Sequence, residues 1–570
     1  MKKYAFMFIC LLCCTFLRSE ACTNIIVTRG ASADGSCMLS YTSDSPSLYG
    51  ELYFRPAARY KKGTMIKIKD WDTHKPLGPI AQVERTLQTM GNMNERQLII
   101  GETTWEGREE LIDTTGRIDY GSLIYLTLQR ASSAREAISI IVELASEYGY
   151  CSDGETFSLV DKNEAWIMDL IGKGPGGGGI VWVARRIPDG YISGHANLAR
   201  IRTFPQDDPE NCLYAPDVIS LARSKGWFSG EDADFSFREA YCPLAPGDAR
   251  GCDSRVWSAF NILCDKVFTC QTPDGEKSAP AGEWLNYAMG YDTGGELPLW
   301  VKPARKVEVK ALADVMRDHY EGTPMDMTKD IGAGSNELPY RWRPLSFKYE
   351  GKTYCNERPI SVVQTGFWFV AQARKWMPDA LGALVWFGCD DTATSYLTPI
   401  YVSSTEVPDC LREGNGDILH YSGTSQFWIN SRISNACYKA YNKMAPVVRA
   451  WVDEYENYEM NVDVPRTDSL MLSLRGSDGE FSPSALRKVK KHLTSFSVGR
   501  ASRQFEKWKA LEELLVVKFN DGIIRAQNPD GSFVHSRYSP TLPRPSKGVG
   551  YSDKWKEAVV KDHGSVLEVR

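Results

Sequence analysis

Ala21-Cys22-Thr23-Asn24-Ile25-Ile26-Val27 is the stretch on which the reading of this chain depends. Thr23, Ile25, Ile26 and Val27 are β-branched, and such side chains favour a strand. Gly30 and the turn-forming Ala33-Asp34-Gly35-Ser36 follow, and then Cys37 to Tyr41. The spacing predicts a hairpin with Cys22 at the head of its first strand.

The residues upstream give Cys22 its meaning. Lys2 and Lys3 precede the apolar run Tyr4 to Leu17, and Ser19-Glu20-Ala21 places small residues at the −3 and −1 positions of a signal-peptidase site. A bilayer span needs about 20 apolar residues, more than this run supplies. Residues 1–21 therefore read as a signal peptide, and the protein as exported, to the periplasm or the extracellular space. No integral span is expected once that segment is gone.

Cleavage after Ala21 makes Cys22 the new N-terminus, and two chemistries use a cysteine there. One is lipid attachment, which favours Leu at −3, where this chain has Ser19. The other is hydrolysis by an N-terminal nucleophile. A thiol near pKa 8.5 and an α-amine near 7.7–8.0 are both poised around neutral pH. One residue then supplies nucleophile and base, and no separate histidine is needed. In the precursor the amine is locked in a peptide bond, so the pair is silent until cleavage.

Composition narrows the function classes. The chain has 570 residues, 43% hydrophobic and 24% charged, which excludes global disorder. Its formal net charge is −5, and about −7 once Lys2, Lys3, Arg18 and Glu20 are removed. That balance argues against a dedicated nucleic-acid binder. Twelve of the 15 cysteines follow residue 21. With Cys22 kept as a thiol, 11 remain, an odd number, and Cys242, Cys252, Cys264 and Cys270 are the expected place for a disulfide in an oxidising compartment. The chain has no HExxH and, beyond residue 21, no CxxC, so no metal or other cofactor is expected.

Further along, Gly121 to Tyr148 has helical spacing. Glu155–Val160 and Ala165–Ile171 flank a turn, and Ile180–Ala184 and Tyr191–Gly194 continue the strands. The run Gly174 to Gly179 lacks the Lys-Ser/Thr and helix of a phosphate loop and reads as a turn. A second strand-rich segment spans Ile360 to Val402. From 426 the character becomes helical, at Tyr438–Tyr458, Ser484–Thr494 and Gln504–Val517, with Lys488 to Lys491 on a solvated face. Asn528 to Arg570 reads as a loosely ordered arm. The expected organisation is a hydrolase domain over 22–425 and a helical C-terminal region over 426–570, in an α+β architecture.

Several stretches in order carry a resemblance: the Cys22 segment, Ile100-Gly101-Glu102-Thr103-Thr104, Leu128-Gln129-Arg130-Ala131, Glu155-Thr156-Phe157-Ser158, Val181-Trp182-Val183-Ala184 and His195-Ala196-Asn197. From Cys22 to about Tyr401 the chain resembles the dipeptidase A-type cysteine peptidases, N-terminal-nucleophile hydrolases related to bile-salt hydrolase and penicillin V acylase. The resemblance implies a four-layer αββα sandwich and metal-free hydrolysis of dipeptides with a free N-terminus through a thioester. It implies Cys22 as nucleophile, Asp44 as the carboxylate on the nucleophile's amine, Asn197 as an oxyanion donor and Arg255 as the active-site arginine. Glu102 is a candidate for the substrate's ammonium, with a structural carboxylate as the alternative, and His195 is expected only to pack. One departure stands out: the superfamily often carries Arg three residues before the aspartate, where this chain has Tyr41. Two other functions stay open, an acylase acting on N-acylated amines and a surface lipoprotein that binds peptides without chemistry. A homo-oligomer is compatible with either enzyme reading.

Overall fold

The structure, a computed structural model, describes residues 22–272, 275–342, 346–544 and 548–569. The signal-peptide reading of residues 1–21 lies outside the described residues.

Two antiparallel sheets carry the molecule. The first has seven strands in the order Trp300–Val301, Ile192–His195, Thr23–Val27, Cys37–Asp44, Thr365–Ala373, Ala383–Cys389 and Thr398–Tyr401. The opening hairpin is present, with Ile26 opposite Leu39 and Asn24 opposite Tyr41. Its turn is built by Asp34, whose Oδ1 accepts from Ser32 Oγ and the Ser36 backbone N–H at 2.8 and 2.9 Å, while Gly35 takes φ +78°. The second sheet has eight strands; Ile99–Trp105, Gly154–Val160, Ala165–Gly172 and Ile180–Arg186 lie consecutively in it. The glycine run 174–179 is the loop between the last two.

Period-two alternation assigns each strand's faces. Ile26, Leu39 and Tyr41 of the first sheet share one apolar cluster with Ile99, Val160 and Ala165 of the second. The opposite residues, Ile25, Val27 and Met38, pack on Val256, Phe260 and Leu312 of the helices Ser254–Leu263 and Val309–Val315. On the far side, Ile100, Phe157 and Trp166 pack on Leu123, Leu126, Ile138 and Ile141 of the helices Tyr120–Leu128 and Ala134–Tyr148. The layers therefore run helix, sheet, sheet, helix. The sheets approach closely at Gly101, where a Cβ would stand 2.2 Å from Asn24 Oδ1. His195 bridges them by bonding Thr103 Oγ1 and Ser158 Oγ, each at 2.7 Å.

Local chemistry revises several elements. The single helix expected over 121–148 is two, because Ser133 accepts from the Glu136 N–H while the Glu136 carboxylate accepts from the Ser132 N–H, a capping arrangement that starts a new helix. The stretches read as separate helices at 484–494 and 504–517 are one 37-residue helix, Pro483–Phe519, started by Ser482 and Pro483 and uninterrupted at Gly499. Its Trp508, Leu511 and Leu515, with Ile433 and Val448 of the helices Gln426–Cys437 and Tyr441–Tyr458, join the cluster that holds Tyr41. The arm beyond 528 carries a helix, Asp553–His563, capped by Ser552. The disulfide expected among Cys242, Cys252, Cys264 and Cys270 is absent; all four thiols are free, those of Cys242 and Cys264 donating to the carbonyls of Glu106 and Lys302.

Candidate active site

Cys22 stands at the head of the strand Thr23–Val27 and is 5% exposed. Its Sγ lies 3.6 Å from Glu102 Oε1 and 3.7 Å from the Tyr41 hydroxyl, and Tyr41 donates to the same Glu102 oxygen at 2.5 Å. Tyr41 comes from the neighbouring strand and Glu102 from the other sheet, so the close approach of the sheets creates this contact. Burial pushes the Cys22 thiol well up, and the nearby charges of Glu102 and Asp44 add to it. The Asp44 backbone N–H and the Tyr41 hydroxyl act in the opposite direction. The thiol in this environment is held protonated and needs a base to attack.

Asp44 closes the strand Cys37–Asp44, where a bulge at Ser43/Asp44 shifts the register with Thr365–Ala373. Its Oδ1 accepts from Thr365 Oγ1 at 2.6 Å, and its Oδ2 from Thr42 Oγ1 and Arg358 Nη2, each at 2.9 Å. Burial raises its pKa against the pull of Arg358. Thr42 Oγ1 also accepts from the Thr23 N–H at 3.1 Å, which joins the aspartate to the residue after the nucleophile.

Arg255 is a buried residue on the helix Ser254–Leu263. Its Nη1 donates to the Cys22 carbonyl at 2.7 Å and to Thr23 Oγ1 at 2.8 Å; its Nη2 donates to the Ala196 carbonyl and to Asn197 Oδ1 at 2.9 Å. The arginine thus links the nucleophile's backbone to Asn197. Asn197 has φ +56°, a conformation asparagine tolerates better than most residues. Its Nδ2 donates to the Thr104 carbonyl at 2.6 Å. The following turn is pinned by Asp169, which accepts from the N–H groups of Arg200 and Ile201. Four expected site residues, Cys22, Asp44, Asn197 and Arg255, therefore belong to one bonded assembly, and Glu102 meets the thiol itself.

A family model described as peptidase family C69 matches residues 50–454, beginning just after the opening hairpin. The chain belongs to peptidase family C69. Relatives include a probable dipeptidase of Salmonella dublin, 24% identical over 397 residues, covering 67% of this chain and 81% of that protein. Dipeptidase A of Lactobacillus helveticus is 22% identical over 452 residues, covering 75% of this chain and 85% of that one. Among solved structures, penicillin V acylase from Agrobacterium tumefaciens is 12% identical with a TM-score of 0.27, covering 66% of this chain and 86% of the acylase.

Two participants were not evident from sequence. Arg358 lies 314 residues from its partner Asp44, in no motif. Tyr41 attracts attention in the sequence only as a missing arginine, whereas its hydroxyl bridges the nucleophile and Glu102. For Glu102, burial drives the carboxyl pKa up to about 7, and the carboxyl also interacts with that of Glu155.

Proposed function

We propose that the mature chain is an exported cysteine dipeptidase of this family, with Cys22 as nucleophile and its own α-amine as base. The thiol proton passes to the amine as Sγ attacks the scissile carbonyl. The amine then protonates the departing amino acid, leaving a thioester on Cys22. A water molecule, deprotonated by the same amine, releases the second amino acid and restores the thiol.

In this reading Asn197 donates to the oxyanion, a contact worth about 10²–10³ in rate. Arg255 holds the Cys22 carbonyl and orients the Asn197 amide through Oδ1. Asp44 anchors the nucleophile's strand and favours the ammonium formed during attack. Glu102 receives the substrate's free ammonium. The carrying observation is the 3.6 Å contact between Cys22 Sγ and Glu102 Oε1, because it sets an acidic acceptor beside the scissile bond. An N-acylated amine gives that carboxylate no cation to bind, which favours dipeptides over acylated substrates.

The test begins with the intact mass and N-terminal peptide of protein recovered from a secreting host. An unmodified Cys22 terminus, with cleavage of free dipeptides and not of their N-acetyl forms, is the expected result. A lipid adduct on Cys22, or preference for the N-acetyl forms, would overturn it.

A further inference from the structure

Arg358 is a buried guanidinium with spare donors at the candidate site. Only Nη2 is engaged, on Asp44; Nε and Nη1 have no hydrogen-bond partner. Other buried arginines leave a buried Nε unpaired, but among the described residues Arg358 alone also leaves a fully buried terminal nitrogen unpaired. Native proteins seldom bury charged donors without acceptors, and such a group calls for a specific explanation. Its position supplies one. Arg358 is bonded to Asp44, whose backbone N–H donates toward Cys22 Sγ. Burial and the proximity of Arg255 weaken its hold on its proton, lowering its pKa to about 9, so Asp44 alone does not balance it. A further anion would.

On the other sheet, Glu102 presents the opposite charge to the same thiol. Its Oε1 is occupied by Tyr41 and Cys22, and its carboxyl also meets that of Glu155. A dipeptide is the ligand that matches this arrangement. Its ammonium and carboxylate lie on adjacent residues, whose Cα atoms are about 3.8 Å apart. Both charges consequently need partners close to the one peptide bond between them. Adding a residue moves the carboxylate outward by about 3.3–3.6 Å, beyond a buried arginine held by Asp44.

We propose that Arg358 receives the α-carboxylate of the substrate, so that Glu102 and Arg358 together measure the length of a dipeptide across Cys22. This rests on the dipeptidase reading above, and it adds a specificity residue that explains why the substrate has two residues and a free C-terminus.

The experiment takes the best-cleaved dipeptide of an unbiased panel, its C-terminal amide, and the tripeptide one residue longer. For the mature wild-type enzyme kcat/KM is expected to be at least about 10²-fold higher for the dipeptide than for either analogue, because an unpaired buried group penalises the wrong ligand. Arg358→Gln should lower kcat/KM for the free acid and bring the acid-to-amide ratio close to one. Arg358→Lys should keep part of the preference. Equal losses on acid and amide would overturn the proposal, as would a wild-type enzyme indifferent to the amide. If Arg358→Gln fails to fold, Arg358→Lys decides: an unchanged acid-to-amide ratio overturns the carboxylate anchor.

Calorimetry on Cys22→Ser protein separates this proposal from the catalytic reading. Should wild-type protein cleave no dipeptide, the catalytic reading fails. The anchor still stands if the Cys22→Ser protein binds the free acid over the amide and Arg358→Gln removes that preference. It falls with the catalytic reading if neither ligand binds.

Discussion

The strand Thr365–Ala373 has a buried arginine–aspartate pair near each end, and the two pairs differ in kind. Beyond its C-terminal end, Arg374 donates through Nη1 to Asp468 Oδ2 at 2.6 Å and through Nη2 to Asp468 Oδ1 and the Leu381 carbonyl; the Tyr401 hydroxyl donates to the same carboxylate at 2.8 Å. Burial lowers the arginine's pKa there, but Asp468 and Tyr401 together outweigh it and raise the pKa. At its N-terminal end, Arg358 and Thr365 share Asp44, burial outweighs the partner, and two guanidinium nitrogens are unused. The same residue types thus make a clamp saturated at its two terminal nitrogens, with only Nε unpaired, at one end and one that leaves Nη1 as well as Nε unpaired at the other. The saturated pair fastens the helix Val464–Leu472 to the sheet. The unsaturated pair lies beside the nucleophile.

Four expectations break or sharpen this contrast. The largest concerns the thiol beside the unsaturated pair. Cys22→Ala should lower kcat by about 10⁴-fold or more while the thermal midpoint stays that of the parent, since only one small side chain is lost. Activity surviving in purified variant would remove the mechanism. At the saturated end the pattern should invert. Asp468→Ala strands Arg374 in the interior and should cost about 3–5 kcal/mol in denaturant unfolding, with kcat/KM per folded molecule unchanged. A variant of normal stability and impaired turnover would show that this end also serves catalysis.

Asn197→Ala should lower kcat by about 10²–10³ and leave KM nearly unchanged, because the donor acts on charge present only in the transition state. A pure rise in KM would assign Asn197 to substrate binding instead. The smallest effect is in the pH profile. Glu102 must be ionised to hold an ammonium, and its pKa is raised to about 7. The acid limb of kcat/KM should therefore contain an ionisation near 7 that Glu102→Gln lacks. The folded carboxyl binds its proton more tightly than the unfolded one. Its contribution to stability is thus present below the ordinary carboxylate range and is lost as pH rises toward 7. Glu102→Gln should flatten the pH dependence of unfolding over that interval.

Legibility in the sequence followed the range of the interactions. The opening hairpin was readable because alternation and the Asp34-Gly35 turn are local. So was the nucleophile's candidacy, from the residues preceding Cys22; the αββα order came from the resemblance, and the succession of strands and helices gave only an α+β architecture. The break at Ser133 was present in the sequence as Ser133 and Glu136, but the apolar periodicity across 121–148 masked it. The continuity of Pro483–Phe519 was harder to see, because a glycine at 499 costs only about 1 kcal/mol in a helix whose apolar face is buried.

By itself the sequence determined what is local or covalent: strand periodicity, turn chemistry, helix caps and the presence of a cysteine that cleavage after Ala21 would make terminal. Tertiary structure alone decided which charges meet. Glu102 reaches Cys22 because two sheets approach at Gly101, and Arg358 reaches Asp44 across 314 residues because a later segment folds onto the strand that Asp44 closes. The physical reason is that electrostatic energy depends on distance and burial in space. Neither is encoded in the spacing of residues along the chain.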